Sequence, residues 1–278
     1  LRTHPLAEVF GFPAGNMSQE ATRYRKLRLC PYNNKVPNCT KDKANDPLGV
    51  CSIYDDDNVV ITCPIRFRQD WLIAEDAAAF FFPPGATWTS LAEVRLNDKY
   101  GKTAGNIDIV LVSYDKRGRI LDYGALEVQG VYISGNVRRP FEHYMADPAR
   151  NAQMDWRQQP NYPRPDYLSS RGKLTARQAI MKGGVLDALG NRTAVALSKA
   201  FFHNLPALQE VDKGEADTAW LIYDVRPPTA GGHRYELSQE RIVYTSRPTA
   251  LVGTELPRGE APETFLLRVA SALEEVVV

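Results

Sequence analysis

Two apolar runs separated by a short charged turn occupy the middle of the chain. Ile107 to Val112 is β-rich and apolar apart from Asp108, Asp115 to Arg119 supplies turn residues, and Leu126 to Ile133 is apolar again. The pattern predicts a β-hairpin over residues 106–132. Centring its turn on Arg117-Gly118 sets Asp108 opposite Glu127, and the two-residue period of a strand puts Gln129 on the same side as both. A bulge near Tyr123-Gly124 would shift that register. The plainer alternative is a surface ribbon with scattered charges. Against it, a carboxylate inside an otherwise apolar strand is rarely buried without a partner or a metal.

The same reading predicts the surrounding elements. A helix is expected from Ser18 into the basic cluster Arg23, Arg25, Lys26 and Arg28. Pro64 to Phe82 reads as a strand and then a helix, stopped by Pro83-Pro84-Gly85. Trp88 to Leu96, with Leu91, Val94 and Leu96, reads as a short helix, and Asn97 to Gly105 as a loop feeding the hairpin. Ser134 to Ser170 shows little periodicity beyond a possible helix over Arg139 to Met145 and is expected to be largely irregular. Arg171 to Leu189 and Asn191 to His203 alternate as amphipathic helices, Thr218 to Val225 and Arg241 to Ser246 as strands, and Pro262 to Val278 as a closing helix. Asp224, in one of these strands, has no companion E-x-K or E-x-Q. His203 and His233 have no cysteine or paired histidine nearby and read as structural or surface residues.

Composition narrows the class without choosing a function. A 278-residue chain with 44% hydrophobic and 24% charged residues is of ordinary globular make-up and holds one large core or a core with a satellite. No apolar run reaches the ~20 residues of a membrane span. The N-terminus lacks the apolar core of a signal peptide, so a cytoplasmic protein with no membrane partner is expected. The net charge of +1 is uninformative, but residues 130–182 carry nine Lys or Arg against four Asp or Glu. Such a patch can neutralise phosphates, the alternative being a solvated surface.

All four cysteines, Cys30, Cys39, Cys51 and Cys63, fall within one stretch rich in Asn, Asp, Lys and Pro. Four thiolates suit tetrahedral zinc or iron, and a metal crosslink would order a segment with so few apolar residues. Two disulfides and free structural thiols are the other readings. A boundary near residue 70 would separate this module, residues 1–70, from a larger domain, residues 71–278.

An acidic residue on one strand followed by E-x-polar on the next gathers divalent cations against a phosphate, since carboxylate oxygens are the ligands magnesium prefers. The order Asp108, Glu127, Gln129 resembles the PD-(D/E)xK nuclease signature, with Gln in place of the usual Lys. A Gln amide positions water but brings no charge, so a second metal or a nearby cation such as Lys99 or Lys102 is required. Glu93 is a further candidate carboxylate, although Ser90-Leu-Ala-Glu93 also fits a helix capping box.

Taken together, CPYNNKVPNCTKDKANDPLGVC, VVITCPIRF, LAEVRL, NIDIVLV and ALEVQGVYISG, in this order over roughly residues 30 to 140, resemble the NotI family of type II restriction endonucleases. The resemblance implies an α/β (α+β) fold. In it a mixed central β-sheet flanked by helices forms a PD-(D/E)xK core, beside a small N-terminal four-cysteine metal-binding module. It makes Cys30, Cys39, Cys51 and Cys63 ligands of structural iron or zinc, and Glu93, Asp108, Glu127 and Gln129 the active site, with Asp108 and Glu127 holding Mg²⁺. It also implies a bacterial enzyme acting on double-stranded DNA at a GC-rich palindrome. Arg pairs bidentately with guanine, so Arg138, Arg139, Arg157, Arg164, Arg171, Lys173 and Arg177 are candidate DNA contacts, to bases or only to phosphates. One site cuts one strand, and a two-fold protein matches a two-fold sequence, so a homodimer is expected. The competing functions are a structure-selective repair or phage nuclease and a non-catalytic DNA-binding module.

Overall fold

The computed structural model describes residues 2–43, 45–97, 100–182, 192–228, 233–246 and 261–277. The chain begins with a small antiparallel sheet of β1 (Leu6–Val9), β2 (Phe12–Pro13), β3 (Val50–Asp55) and β4 (Asn58–Ile61), ordered β2-β1-β3-β4. Between β2 and β3 lies α1 (Gln19–Leu27), begun as expected at Ser18, whose Oγ accepts the Ala21 N–H, and ended by Arg28 in the left-handed conformation. The basic cluster on α1 is only partly free to meet an anion. Arg25 is buried and donates to the Asn16 and Pro13 carbonyls, and Arg28 pairs with Asp46, leaving Arg23 and Lys26 exposed.

A 3-10 helix (Pro64–Trp71) and α2 (Leu72–Phe81) follow. The strand expected after Pro64 is replaced by this 3-10 helix, because proline at its start has no N–H to give a ladder. The expected helix forms and ends before Pro83. Arg66 carries a charge into the interior. It and Glu8 are both fully buried at 2.9 Å, with Ser52 Oγ donating to Glu8, Arg66 donating to the Tyr235 carbonyl, and the guanidinium lying over the Tyr32 ring. A buried pair survives only when its remaining hydrogen-bonding positions are met in this way. It ties the small sheet to the rest of the molecule.

The large sheet has six strands in the order β12-β11-β10-β7-β6-β5. Its strands are β5 (Trp88–Asn97), β6 (Thr103–Tyr114), β7 (Ile120–Gln129), β10 (Thr193–Ser198), β11 (Thr218–Arg226) and β12 (Glu236–Thr245). β5, β6 and β7 form an antiparallel meander, β10 runs parallel to both β7 and β11, and β12 returns antiparallel, so the sheet is mixed. α2 covers one face through Ile73, Ala77 and Phe81 against Ile109, Leu126, Ala196 and Leu221. The other face is covered in two patches. α7 (Pro262–Val277) packs Phe265, Val269 and Leu273 over Val110, Val112 and Ala125, and α5 (Tyr167–Lys182) and α6 (Lys199–Phe202) bring Leu174 and Phe201 over Val195, Leu197 and Ile222.

Two expected helices are strands. Trp88 to Leu96 lies within edge strand β5, and residues 193–198 of the predicted Asn191 to His203 helix are β10, with only the short α6 helical. β10 is buried on both faces and so reads as a continuous apolar run in which helical and strand periods cannot be told apart, while the apolar positions of the half-exposed edge strand β5 fall at helix-like spacing. The segment Ser134 to Ser170 is also more ordered than expected. It contains α3 (Arg138–Ala146), α4 (Pro148–Asn151) and β9 (Arg164–Asp166), which pairs with β8 (Tyr132–Ser134). α3 and the segment after it share a core with the small sheet, Phe141, Tyr144, Met154 and Trp156 packing on Leu6, Val9, Val50 and Ile53. Of the predicted Arg171 to Leu189 helix, residues 183–189 lie outside the described residues, as does the 229–232 part of the loop after β11.

Candidate active site

The hairpin of β6 and β7 forms where the apolar pattern placed it. Asp115 closes the turn, its Oδ1 accepting the backbone N–H of Arg117 at 2.8 Å and of Arg119 at 2.9 Å, while Gly118 takes the positive φ of 77° that the turn needs. Pairing runs from Ile109↔Leu126 to Ser113↔Asp122 without a slip, and the irregularity comes after Ser113, not at Tyr123-Gly124. The ladder ends at Ile109↔Leu126, one step before Asp108 and Glu127. The Asp108 carboxylate also turns onto the neighbouring strand, Oδ2 accepting the Val128 N–H at 2.9 Å.

Glu127 and Gln129 are 3% and 6% exposed, on the face where the α7 and α5–α6 patches are separate, and neither belongs to those apolar clusters. The Gln129 amide donates to the Gly130 carbonyl at 2.6 Å, which directs Nε2 to the backbone and commits Oε1 to whatever else the side chain meets. Gly130 is fixed in turn. A Cβ there would lie 3.2 Å from the Thr62 backbone and from Pro64, so the end of β7 abuts the segment that carries Cys63.

Glu93 is a strand residue, which removes the capping-box reading because no helix starts at Ser90. Its neighbours pair as Ala92↔Ile109 and Val94↔Ile107, so Glu93 falls beside Asp108 on the side away from Glu127. Its φ of 57° breaks the regular strand conformation at that point, a local cost accepted mostly at functional sites. Lys35, from the loop between the first two cysteines, reaches to 3.9 Å from the Glu93 carboxylate. Nothing in the sequence links these two residues. Of the cations suggested to offset the missing lysine, Lys99 lies outside the described residues, and Lys102 is exposed in the segment entering β6.

The cysteines come together as two pairs. The bridge Leu29↔Asn38, with Cys30 N–H donating to Pro37 and Cys39 N–H to Arg28, holds Cys30 beside Cys39. The β3–β4 hairpin holds Cys51 beside Cys63, the Cys63 N–H donating to the Cys51 carbonyl at 3.2 Å. All four are free thiols. Burial, then the charges of Cys63 and Cys39, pushes the Cys30 thiol up to about 11, and burial, then Glu8, Cys63 and Cys30, raises Cys51 further. The two pairs are therefore within electrostatic reach of each other. Among the described residues, however, no group of three or more His, Cys, Asp or Glu side chains is gathered closely enough to hold a metal ion as it stands.

The candidate DNA contacts are differently disposed. Arg138 is engaged by Asp42 and Asp46 of the cysteine segment, with Asp46 at 2.9 Å, and so clamps α3 to that segment. Arg157 pairs with Asp155. Arg139, Arg164 and Lys173 are exposed and Arg171 half-buried, with the Lys173 ammonium 4.8 Å from the centre of the Tyr132 ring. The side chain of Arg177 lies outside the described residues.

The sheet is mixed, with helices on both faces, and its β6–β7 hairpin carries Asp108, Glu127 and Gln129. A family model described as restriction endonuclease NotI matches residues 15–237, a span that includes the whole hairpin and all four cysteines. The class is that of site-specific deoxyribonucleases, which bind double-stranded DNA. Within it, the chain belongs to the NotI restriction endonuclease family. No curated protein matches the chain. Among the described residues, no helix is long and apolar enough to cross a membrane.

Proposed function

We propose that this chain is a type II restriction endonuclease that hydrolyses both strands of a GC-rich palindrome as a Mg²⁺-dependent homodimer. It would act in the bacterial cytoplasm with a PD-(D/E)xK core in which Gln129 stands for the lysine. The observation that supports the reading is the hairpin register, unbroken from Ser113↔Asp122 to Ile109↔Leu126, the step before Asp108 and Glu127, together with the Asp108 carboxylate accepting the Val128 N–H. Two carboxylates are a sufficient protein contribution for magnesium, which keeps several waters and takes phosphate oxygens as further ligands. The ion, when bound, supplies charge to the phosphate and a more acidic water. Asp108 and Glu127 hold it, and Glu93 adds a ligand or orients a bound water. With one Nε2 hydrogen given to Gly130, Gln129 would use Oε1 to accept an O–H of the attacking water and aim it at phosphorus.

The cysteine quartet fits iron or zinc by donor type, since all four thiols are free and buried or half-buried, and binding would draw the two pairs together. On this reading residues 1–70 are the metal module and residues 71–278 the nuclease domain. Exposed Arg139, Arg164 and Lys173 suit the DNA face, together with Arg171 and Arg177 of α5, while Arg138 and Arg157 would have to exchange a carboxylate for a phosphate.

The test is digestion of long unmethylated DNA and GC-rich plasmid with and without Mg²⁺, comparing the wild type with Asp108→Ala. Discrete fragments that need metal and fall by at least about 10³-fold in the variant are expected. A smear, or cutting at ends and junctions, would replace the reading by a structure-selective nuclease. DNA binding by both proteins with no cutting under any divalent metal would leave only a binding module.

A further inference from the structure

The strand that carries Glu127 and Gln129 does not end the ribbon of chain leading from it. After Gly130 and Val131 comes β8, which pairs with β9, and β9 runs directly into α5. We propose that one face of the β8–β9 ribbon guides the DNA backbone, and that Tyr132 and Lys173 together hold a phosphate close to the one that is cut. Neither takes part in the chemistry. The inference rests on the reading that Glu127 and Gln129 mark the point of cleavage, and it deepens the assignment of this region to the DNA face.

The register gathers the side chains concerned. Tyr132 pairs with Asp166 and Ser134 with Arg164, and opposed or alternate strand residues share a face, so these four lie on one side. Ile133, on the other side, packs toward the core of the small sheet. Tyr132 remains 38% exposed although its backbone is fixed, the buried Ser170 hydroxyl accepting the Tyr132 N–H at 2.9 Å and donating to the Asp166 carbonyl at 2.6 Å. From α5 the Lys173 ammonium comes to 4.8 Å from the centre of the Tyr132 ring. The ring thus holds in place a cation whose long side chain would otherwise wander. The carboxylate on this face, Asp166, is engaged at the start of α5, accepting the Ser169 N–H at 2.9 Å and its hydroxyl at 2.8 Å. Arg138 and Arg157 are held by carboxylates, whereas Arg164 and Lys173 are exposed and, among the described residues, have no ion pair. A phenol beside a fixed ammonium suits phosphate oxygens, which such side chains grip without reading sequence. Tyr132 follows Gln129 by three residues, at most roughly 11 Å of chain. That reach is about three steps along the duplex axis.

The test is binding of the full-length protein to duplex DNA in Ca²⁺ over a salt series, with steady-state cleavage in Mg²⁺, for Lys173→Met, Lys173→Arg, Tyr132→Phe and Lys116→Met. Lys116, exposed in the β6–β7 turn at the opposite end of the hairpin, controls for the loss of any one positive charge. Lys173→Met should weaken binding about ten-fold and lower the slope of log K against log salt by about one, raising KM with kcat and the cut sites unchanged. Lys173→Arg should bind like the wild type. Tyr132→Phe should weaken binding about three-fold with the salt slope retained, and Lys116→Met should change nothing. Melting temperatures should agree within about 2 °C, since an exposed cation–ring contact contributes little to folding. Unchanged binding and salt slope in Lys173→Met, or an equal loss in Lys116→Met, would overturn the inference alone. So would an altered cut sequence, which would make the ribbon a reader of bases. A wild type that binds DNA but does not cut would overturn the active-site assignment and with it the placement beside the cleaved phosphate; the salt slopes are read independently of cutting.

Discussion

An ionised side chain on an interior strand has to be answered by something, and the identity of the answer distinguishes the charges here. Glu8 is answered by Arg66 and Ser52 and is structural. Asp108 accepts the Val128 N–H through Oδ2, and on the proposed reading it also holds the magnesium. The hairpin was legible because its apolar period and turn residues are local and fix the register within a few positions. Lys35 was not legible beside Glu93, since the two meet only through tertiary packing. Glycine also acts at this scale. A Cβ on Gly124 would lie 2.4 Å from the Phe81 ring, which is itself buried under the sheet. Gly124→Ala should therefore destabilise the protein by roughly 1–3 kcal/mol, the usual cost of overpacking. Urea unfolding is the measurement, and an unchanged midpoint would mean that α2 does not press on β7 as described.

Elements were read well where one face is polar and poorly where neither is. α1, α2, α7, the hairpin and β11 came from period, caps and turn residues. β5 and β10 carry helix-like patterns, the first because Leu91, Val94 and Leu96 mimic a helical stripe on a half-exposed edge strand, the second because both of its faces are buried. How the small sheet docks on α3 is a property of elements too. His4 lies in that contact, edge-on to Tyr144 with ring centroids 5.7 Å apart, and burial lowers its pKa from the usual 6.5 to about 4 despite hydrogen bonding to the backbone of Leu6. The folded chain thus resists protonation that the unfolded chain accepts. The contribution is fully present above about pH 6.5, is lost as pH falls toward 4, and changes no further below that. Its size is at most roughly 3 kcal/mol. Unfolding free energies measured between pH 7 and 4 should show this slope in the wild type and a flatter one in His4→Gln. Equal slopes would assign the acid sensitivity elsewhere.

For the whole molecule, the cysteine segment is joined to α3 by the Arg138 clamp, to the end of β7 by the contact of Thr62 with Gly130, and to β5 by the pairing of Lys35 with Glu93. On the proposed reading, stripping iron or zinc with a chelator under reducing conditions should do more than unfold a peripheral knot. It should lower the melting temperature by at least about 5 °C and cut cleavage together. Elemental analysis alongside calorimetry checks this, and a chelated protein that melts and cuts like the untreated one would remove the metal from the architecture.

By itself the sequence determined the hairpin, its register from Ile109↔Leu126 to Ser113↔Asp122, and the family. These are short-range patterns, set by strand period, turn chemistry and the rarity of charge in an apolar run. Tertiary structure alone decided that β10 is a central parallel strand, that Glu93 lies on β5 beside Asp108, that Arg138 serves as a clamp, and that Lys35 meets Glu93. Those outcomes depend on which faces become buried and which distant loops meet, and the energy that settles them comes from packing between segments, which no local pattern records.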